Sequence, residues 1–129
     1  MTMRKEIDPG WTWDDRFSYS QAVQVGDWLY ISGQVPLDAA GHLAGENDVL
    51  AQSRQVFANI DALLQSAGGS RDHIVRITSY LIDMSRYQEY NQARGEYFQG
   101  RRPASTTIQV AGLAIPGILV EVDAVAFIA

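Results

Sequence analysis

At 129 residues, with 47% hydrophobic and 19% charged side chains, the chain has the length and composition of one soluble globular domain spanning residues 1–129. Its net charge of −5 is carried with nine arginines, one lysine and no basic run beyond Arg101-Arg102, which argues against a nucleic-acid partner. The absence of cysteine excludes disulfides, thiolate nucleophiles and cysteine-based metal sites.

The two histidines, His42 and His73, lie far apart without metal-ligand spacing, so no histidine-based metal site is expected. No stretch is long and apolar enough to span a membrane, and the first residues carry no apolar signal region. A cytoplasmic protein without a membrane partner is the expectation.

Residues 1–17 read as an irregular arm, turned at Pro9-Gly10 and anchored by Trp11 and Trp13. Residues 20–25 and 28–32 are short β-type runs joined by Gly26-Asp27, a two-residue glycine-containing loop that signals a hairpin. Pro36 ends the second run, and residues 38–45 form a polar loop. Over residues 49–67 the apolar positions Val49, Val56, Phe57, Ile60, Leu63, Leu64 and Ala67 fall on one helix face. Asn47 or Asp48 can cap that helix and Gly68-Gly69 can end it.

Residues 74–82 are rich in β-branched and aromatic side chains and read as a third strand. Asp83-Met84-Ser85 opens a second helix that runs to Gln99, its apolar side carrying Tyr87, Tyr90, Tyr97 and Phe98. Residues 106–111 and 119–128 complete five strands in the order β-β-α-β-α-β-β. A mixed α+β sheet with both helices on one face satisfies this order and leaves the other face uncovered. Self-association would bury that face without added chain.

The last strand sets two carboxylates in an apolar run. Alternation places Glu121 and Asp123 on one face with Leu119, Val125 and Phe127, and Val120, Val122, Ala124, Ala126 and Ile128 on the other. A carboxylate beside so much apolar surface must be paired, hydrogen-bonded or open to a wet pocket. Glu121 is therefore a candidate catalytic group. Gly68-Gly69-Ser70 lacks the lysine of a phosphate loop, and there is no Gly-x-Ser-x-Gly elbow. What remains is a carboxylate, hydroxyls and backbone groups, an inventory suited to acid–base work on an easily hydrolysed substrate.

Several segments also match a known pattern in order and register. They are Tyr19-Ser20-Gln21-Ala22-Val23, Ser32-Gly33-Gln34-Val35-Pro36, and Gln52 followed by Val56-Phe57-Ala58-Asn59-Ile60. Asn91 ahead of Tyr97-Phe98, then Pro103-Ala104 and the run Val120-Glu121-Val122-Asp123-Ala124-Val125-Ala126 continue it to the C-terminus. Together they resemble the RidA/YjgF family of enamine/imine deaminases. The resemblance implies a chorismate-mutase-like fold and a homotrimer with a central barrel. It places a small-molecule substrate in each cleft between subunits and implies hydrolysis of imines or enamines to 2-oxo acids and ammonia without cofactor or metal. Glu121 would then position or activate water and Tyr19 would wall the pocket. Ser32, Gly33 and Asn91 would line the pocket, and Thr107 would contact the imine end. Gln34 and Asn59 are read as structural, and Asp123 as structural or interface.

One position departs from the pattern. The family follows Pro-Ala with an arginine that clamps the substrate carboxylate, whereas this chain has Ser105. A neutral hydroxyl in place of a bidentate charged pair costs about 2–4 kcal/mol in holding an anionic substrate. An altered substrate class is therefore expected, unless Arg101 or Arg102 substitutes from nearby. The alternatives are a trimer that binds a small metabolite without turnover and an RNA-directed activity, which the acidic balance disfavours.

Overall fold

A computed structural model describes residues 3–129. The first two residues of the arm therefore lie outside the described part. Eight regular elements follow in order: β1 (Arg4–Ile7), β2 (Ala22–Val25), β3 (Trp28–Gln34), α1 (Val49–Ser66), β4 (Ile74–Leu81), α2 (Tyr87–Tyr97), β5 (Ala104–Gln109) and β6 (Val120–Phe127). The strands form one mixed sheet in the order β1-β2-β3-β6-β4-β5, with only the β4–β5 pair parallel.

The arm corrects the sequence reading. Residues 4–7 pair antiparallel with β2, so the sheet has six strands rather than five. Arg4-Lys5-Glu6-Ile7 carries no alternating apolar signal, and only Ile7 is buried. Backbone pairing to an open edge holds this strand, and such pairing leaves little trace in side-chain pattern. The rest of the arm packs as expected. Trp13 is buried with Val35, Leu37 and Ile118 in a small second core, Trp11 flanks it, and the Trp13 indole donates to the Asp38 carbonyl at 2.9 Å.

Both helices lie on one face of the sheet. Val56, Phe57, Ile60, Leu63 and Leu64 of α1 and Tyr90 and Ala93 of α2 bury Leu29, Ile31, Ile77, Leu81 and the even-numbered residues of β6. Asp48 caps α1 by accepting from the Ala51 amide at 2.9 Å, and Gly68 follows its end at a φ of 81°. The buried face of β6 is therefore the Val120 set, and the Glu121 set lies on the uncovered face. That face exposes Trp28 and Tyr30 of β3, Ile108 of β5 and Phe127 of β6. Trp28 and Phe127 are cross-strand partners with rings 4.8 Å apart.

Candidate active site

The sheet's pleat divides the candidate residues between its two faces. On the uncovered face, β3 and β6 lose register between Ile31 and Gln34, and this bulge leaves Ser32 and Gly33 outside the regular pairing. Gln34 stiffens the bulge from the buried side. Its amide donates to the Ser32 carbonyl at 3.0 Å and to the Gln21 side chain at 2.9 Å, and Gln21 donates in turn to Asp14 at 2.7 Å. Ser32 is fixed against the segment carrying Tyr19, its hydroxyl donating to the Ser20 carbonyl at 2.7 Å and its amide to the Gln21 carbonyl at 2.9 Å.

The half-buried Glu121 carboxylate fills the space beside Gly33. A β-carbon built on that glycine would lie 2.8 Å from Glu121 Cδ, so only glycine admits the carboxylate there. Among the described residues no group donates a hydrogen bond to Glu121 (its strand neighbour Asp123, by contrast, accepts from the Tyr80 hydroxyl at 2.8 Å). Burial raises the Glu121 pKa above the ordinary carboxylate value, and the Asp123 charge raises it further. Tyr19 is close enough for the Glu121 charge to raise its own pKa, after the larger effect of burial. Tyr19 and Ser32 line one shallow cleft of about 580 Å³ on this side.

Asn91, Ser105 and Thr107 belong to the opposite face. On β5, Ser105 pairs with Ile77 and Thr107 with Ser79, both buried beneath the helices. Ile108, in contrast, pairs with Tyr80, the partner of Glu121 on the uncovered face. Ser105 and Thr107 thus look toward α2 and share a cavity of about 900 Å³ with Asn91. Glu121 and Thr107 are two strands apart on opposite sides of the sheet. The candidate residues of one chain therefore fall into two separate groups.

The group facing α2 also holds a residue that the sequence reading passed over. Arg94 of α2 donates to Ser105 Oγ at 3.0 Å, Thr107 Oγ1 at 3.5 Å, Asn91 Oδ1 at 2.8 Å and the Tyr87 hydroxyl at 2.5 Å. Its guanidinium carbon sits 5.6 Å from the Tyr87 ring centre and 5.1 Å from that of Tyr90. The signal was available, since residues 87, 91 and 94 follow the i, i+4, i+7 spacing of one helix face. Among Arg101 and Arg102, the named candidates for a substituted clamp, both are exposed and only Arg102 lines this cavity. Among the described residues, no three His, Asp or Glu side chains gather closely enough to hold a metal ion.

A mixed sheet backed by two helices on one face, with a carboxylate and a glycine bulge on the other, defines an α+β protein of the chorismate-mutase-like type. The sequence model of the family described as Endoribonuclease L-PSP matches residues 14–128. The chain belongs to that family, the RidA/YjgF family. A RutC family protein of Pyrococcus horikoshii is 37% identical over 109 residues, covering 84% of this chain and 86% of that protein. The mouse 2-iminobutanoate/2-iminopropanoate deaminase is 39% identical over 108 residues, covering 84% and 79%. The crystal structure of YyfA, a Rid family protein of Yersinia pestis, superposes with a TM-score of 0.88 at 35% identity, over 97% of this chain and 99% of that one.

Proposed function

We propose that the protein is a cofactor-independent hydrolase of reactive imines or enamines, with Glu121 as the group that activates water. The observation that carries this is the Glu121 carboxylate, half-buried against Gly33 with no hydrogen-bond donor among the described residues. A carboxylate held this way has a raised pKa and free acceptor sites, the state a general base needs. Water adds to the C=N carbon and its proton passes to Glu121. The same carboxyl returns a proton to nitrogen, and ammonia leaves as the carbonyl forms. The mouse relative's activity, removal of ammonia from 2-imino acids, supports this reaction class.

In this reading the chain works as a homotrimer, the uncovered face turned inward. Trp28, Tyr30, Ile108 and Phe127 supply the apolar surface that such packing would bury. The two half-sites then meet across a subunit boundary. Tyr19, Ser32, Gly33 and Glu121 come from one chain, and Asn91, Ser105 and Thr107 from its neighbour. RNA has no place in this proposal, because a net charge of −5 opposes binding to phosphate backbones.

The deciding experiment uses an amino-acid oxidase to generate 2-imino acids in the presence of semicarbazide. The protein is expected to divert the imine from the trap, and Glu121→Ala is expected to abolish the diversion. Equal trapping with and without the protein would refute hydrolysis of 2-imino acids and favour a binding role for the same clefts.

A further inference from the structure

We propose that the cavity between α2 and β5 is an anion subsite. Its cation is Arg94, and its ligand is the carboxylate of the substrate. The proposal rests on the hydrolase reading for the identity of that ligand, but its geometry stands apart from Glu121.

The charge inventory comes first. Of the eleven residues lining the cavity none is acidic, while two, Arg94 and Arg102, are permanently cationic. Among the described residues the ion-paired arginines are Arg4, Arg54 and Arg86, and neither cavity arginine is one of them. In a chain with fifteen acids and ten Lys and Arg residues, a concave surface holding two arginines and no acid has one sign of charge by construction.

The hydrogen-bond directions point the same way. Every acceptor that Arg94 uses (Tyr87, Asn91, Ser105 and Thr107) is neutral, so its positive charge is not cancelled locally. A hydroxyl oxygen that accepts from the guanidinium must aim its own proton elsewhere. Tyr87, Ser105 and Thr107 are therefore three polarised O–H donors held on one fixed cation. Cation–π contacts to the Tyr87 and Tyr90 rings, 5.6 and 5.1 Å from their centres, help hold the guanidinium in place. Donors backed by an unpaired charge in a concave surface make a receptor for a small oxyanion.

Ser105 gains a meaning from this. An arginine at 105 would meet Arg94 at the same place, and a serine there serves as its hydrogen-bond partner. The cation has moved from the strand to the helix. The expectation of an altered substrate class gives way to an anionic substrate held by a different residue.

The test measures binding of 2-oxobutanoate, a stable carboxylate probe, by calorimetry, with uncharged 2-butanone as the comparison. Arg94→Gln is expected to weaken 2-oxobutanoate binding by about tenfold or more, with Arg94→Lys recovering part of the loss. Ser105→Asp keeps the arginine but offers it an internal carboxylate, and it is expected to lose the probe while melting no lower than the parent. 2-Oxobutanoate binding within twofold of the parent in both Arg94→Gln and Ser105→Asp overturns the subsite, as does failure of the parent to bind it at millimolar concentration. Imine hydrolysis with an unchanged KM in Ser105→Asp also overturns it, yet leaves the hydrolase reading intact. Arg94-dependent binding in a protein that hydrolyses no imine supports the subsite and removes the hydrolase reading.

Discussion

The Glu121 carboxylate and the Gly33 backbone occupy adjoining space so closely that a single methyl group separates a working arrangement from a collision. A β-carbon at 33 would stand 2.8 Å from Glu121 Cδ and 3.1 Å from Cγ. The backbone at Gly33 does not adopt a positive φ, so alanine is conformationally acceptable there and the fault is purely one of space. Gly33→Ala is expected to fold with a melting temperature near the parent's and to lose about tenfold or more in kcat for imine hydrolysis, because the displaced carboxylate no longer meets the bound imine. Steady-state rates alongside a circular-dichroism melt separate the two effects.

Glu121 should also make itself felt in the pH dependence of stability. Burial, with a smaller contribution from Asp123, raises its pKa in the folded chain above the ordinary value. Between the unfolded and folded pKa values the native state binds more protons than the unfolded state, so stability falls as pH rises through that window. Above it, the charged carboxylate is a constant burden. Glu121→Gln removes the burden and is expected to melt higher than the parent at neutral pH, with the gap closing as pH falls through that window and gone below about 4.3. Activity of the parent should decline on the acid side with an apparent pKa above that of a free glutamate. A melting difference that grows toward acid would contradict the assignment.

Gln52 holds the entry to β6. It is fully buried in α1, and its amide donates to the carbonyls of Gly45 at 3.0 Å and Gly117 at 3.1 Å, while its carbonyl accepts from the Leu119 amide at 2.7 Å. Two loops and the residue two places before Glu121 thus share one side chain. Gln52→Ala would strand three backbone groups around a cavity and is expected to cost about 2–4 kcal/mol in urea unfolding. Gln52→Glu, which can accept but not donate in its ionised form, should lose more at neutral pH than at acid pH.

The elements that bury side chains were legible, and those held by backbone alone were not. The 3.6-residue stripe from Val49 to Leu64 and the alternation in β6 announced α1 and the last strand, because packing on the core demands those periods. The strand at Arg4–Ile7 buries one residue and so leaves almost no pattern to read. At the candidate site, a carboxylate in an otherwise apolar strand picked out Glu121 as a candidate. Its uncovered face remained open between two choices until the helices were placed on the Val120 side. Arg94 was missed for a different reason: spacing sets it on one helix face with Tyr87 and Asn91, but its bonds to Ser105 and Thr107 depend on β5 lying beside α2, which that spacing does not encode.

Assembly is the remaining consequence of the division between faces. If the two half-sites meet only between subunits, then activity and oligomeric state must fail together. Tyr30 is half exposed in the isolated chain, pairs with Val125, and stands near the middle of the uncovered face. It is not among the residues assigned to catalysis or binding, so a charge placed there is aimed at assembly rather than chemistry. Tyr30→Glu would desolvate a carboxylate in an apolar interface without a partner, a penalty of several kcal/mol for each subunit. Sedimentation equilibrium of the parent is expected to give three times the 14.3 kDa chain mass, and the variant to give the monomer. Imine hydrolysis should vanish with the trimer, while far-ultraviolet dichroism retains the α+β signature. A monomeric Tyr30→Glu that still hydrolyses imines at the parental rate would show that one chain completes the site alone, and the inter-subunit arrangement would have to be abandoned.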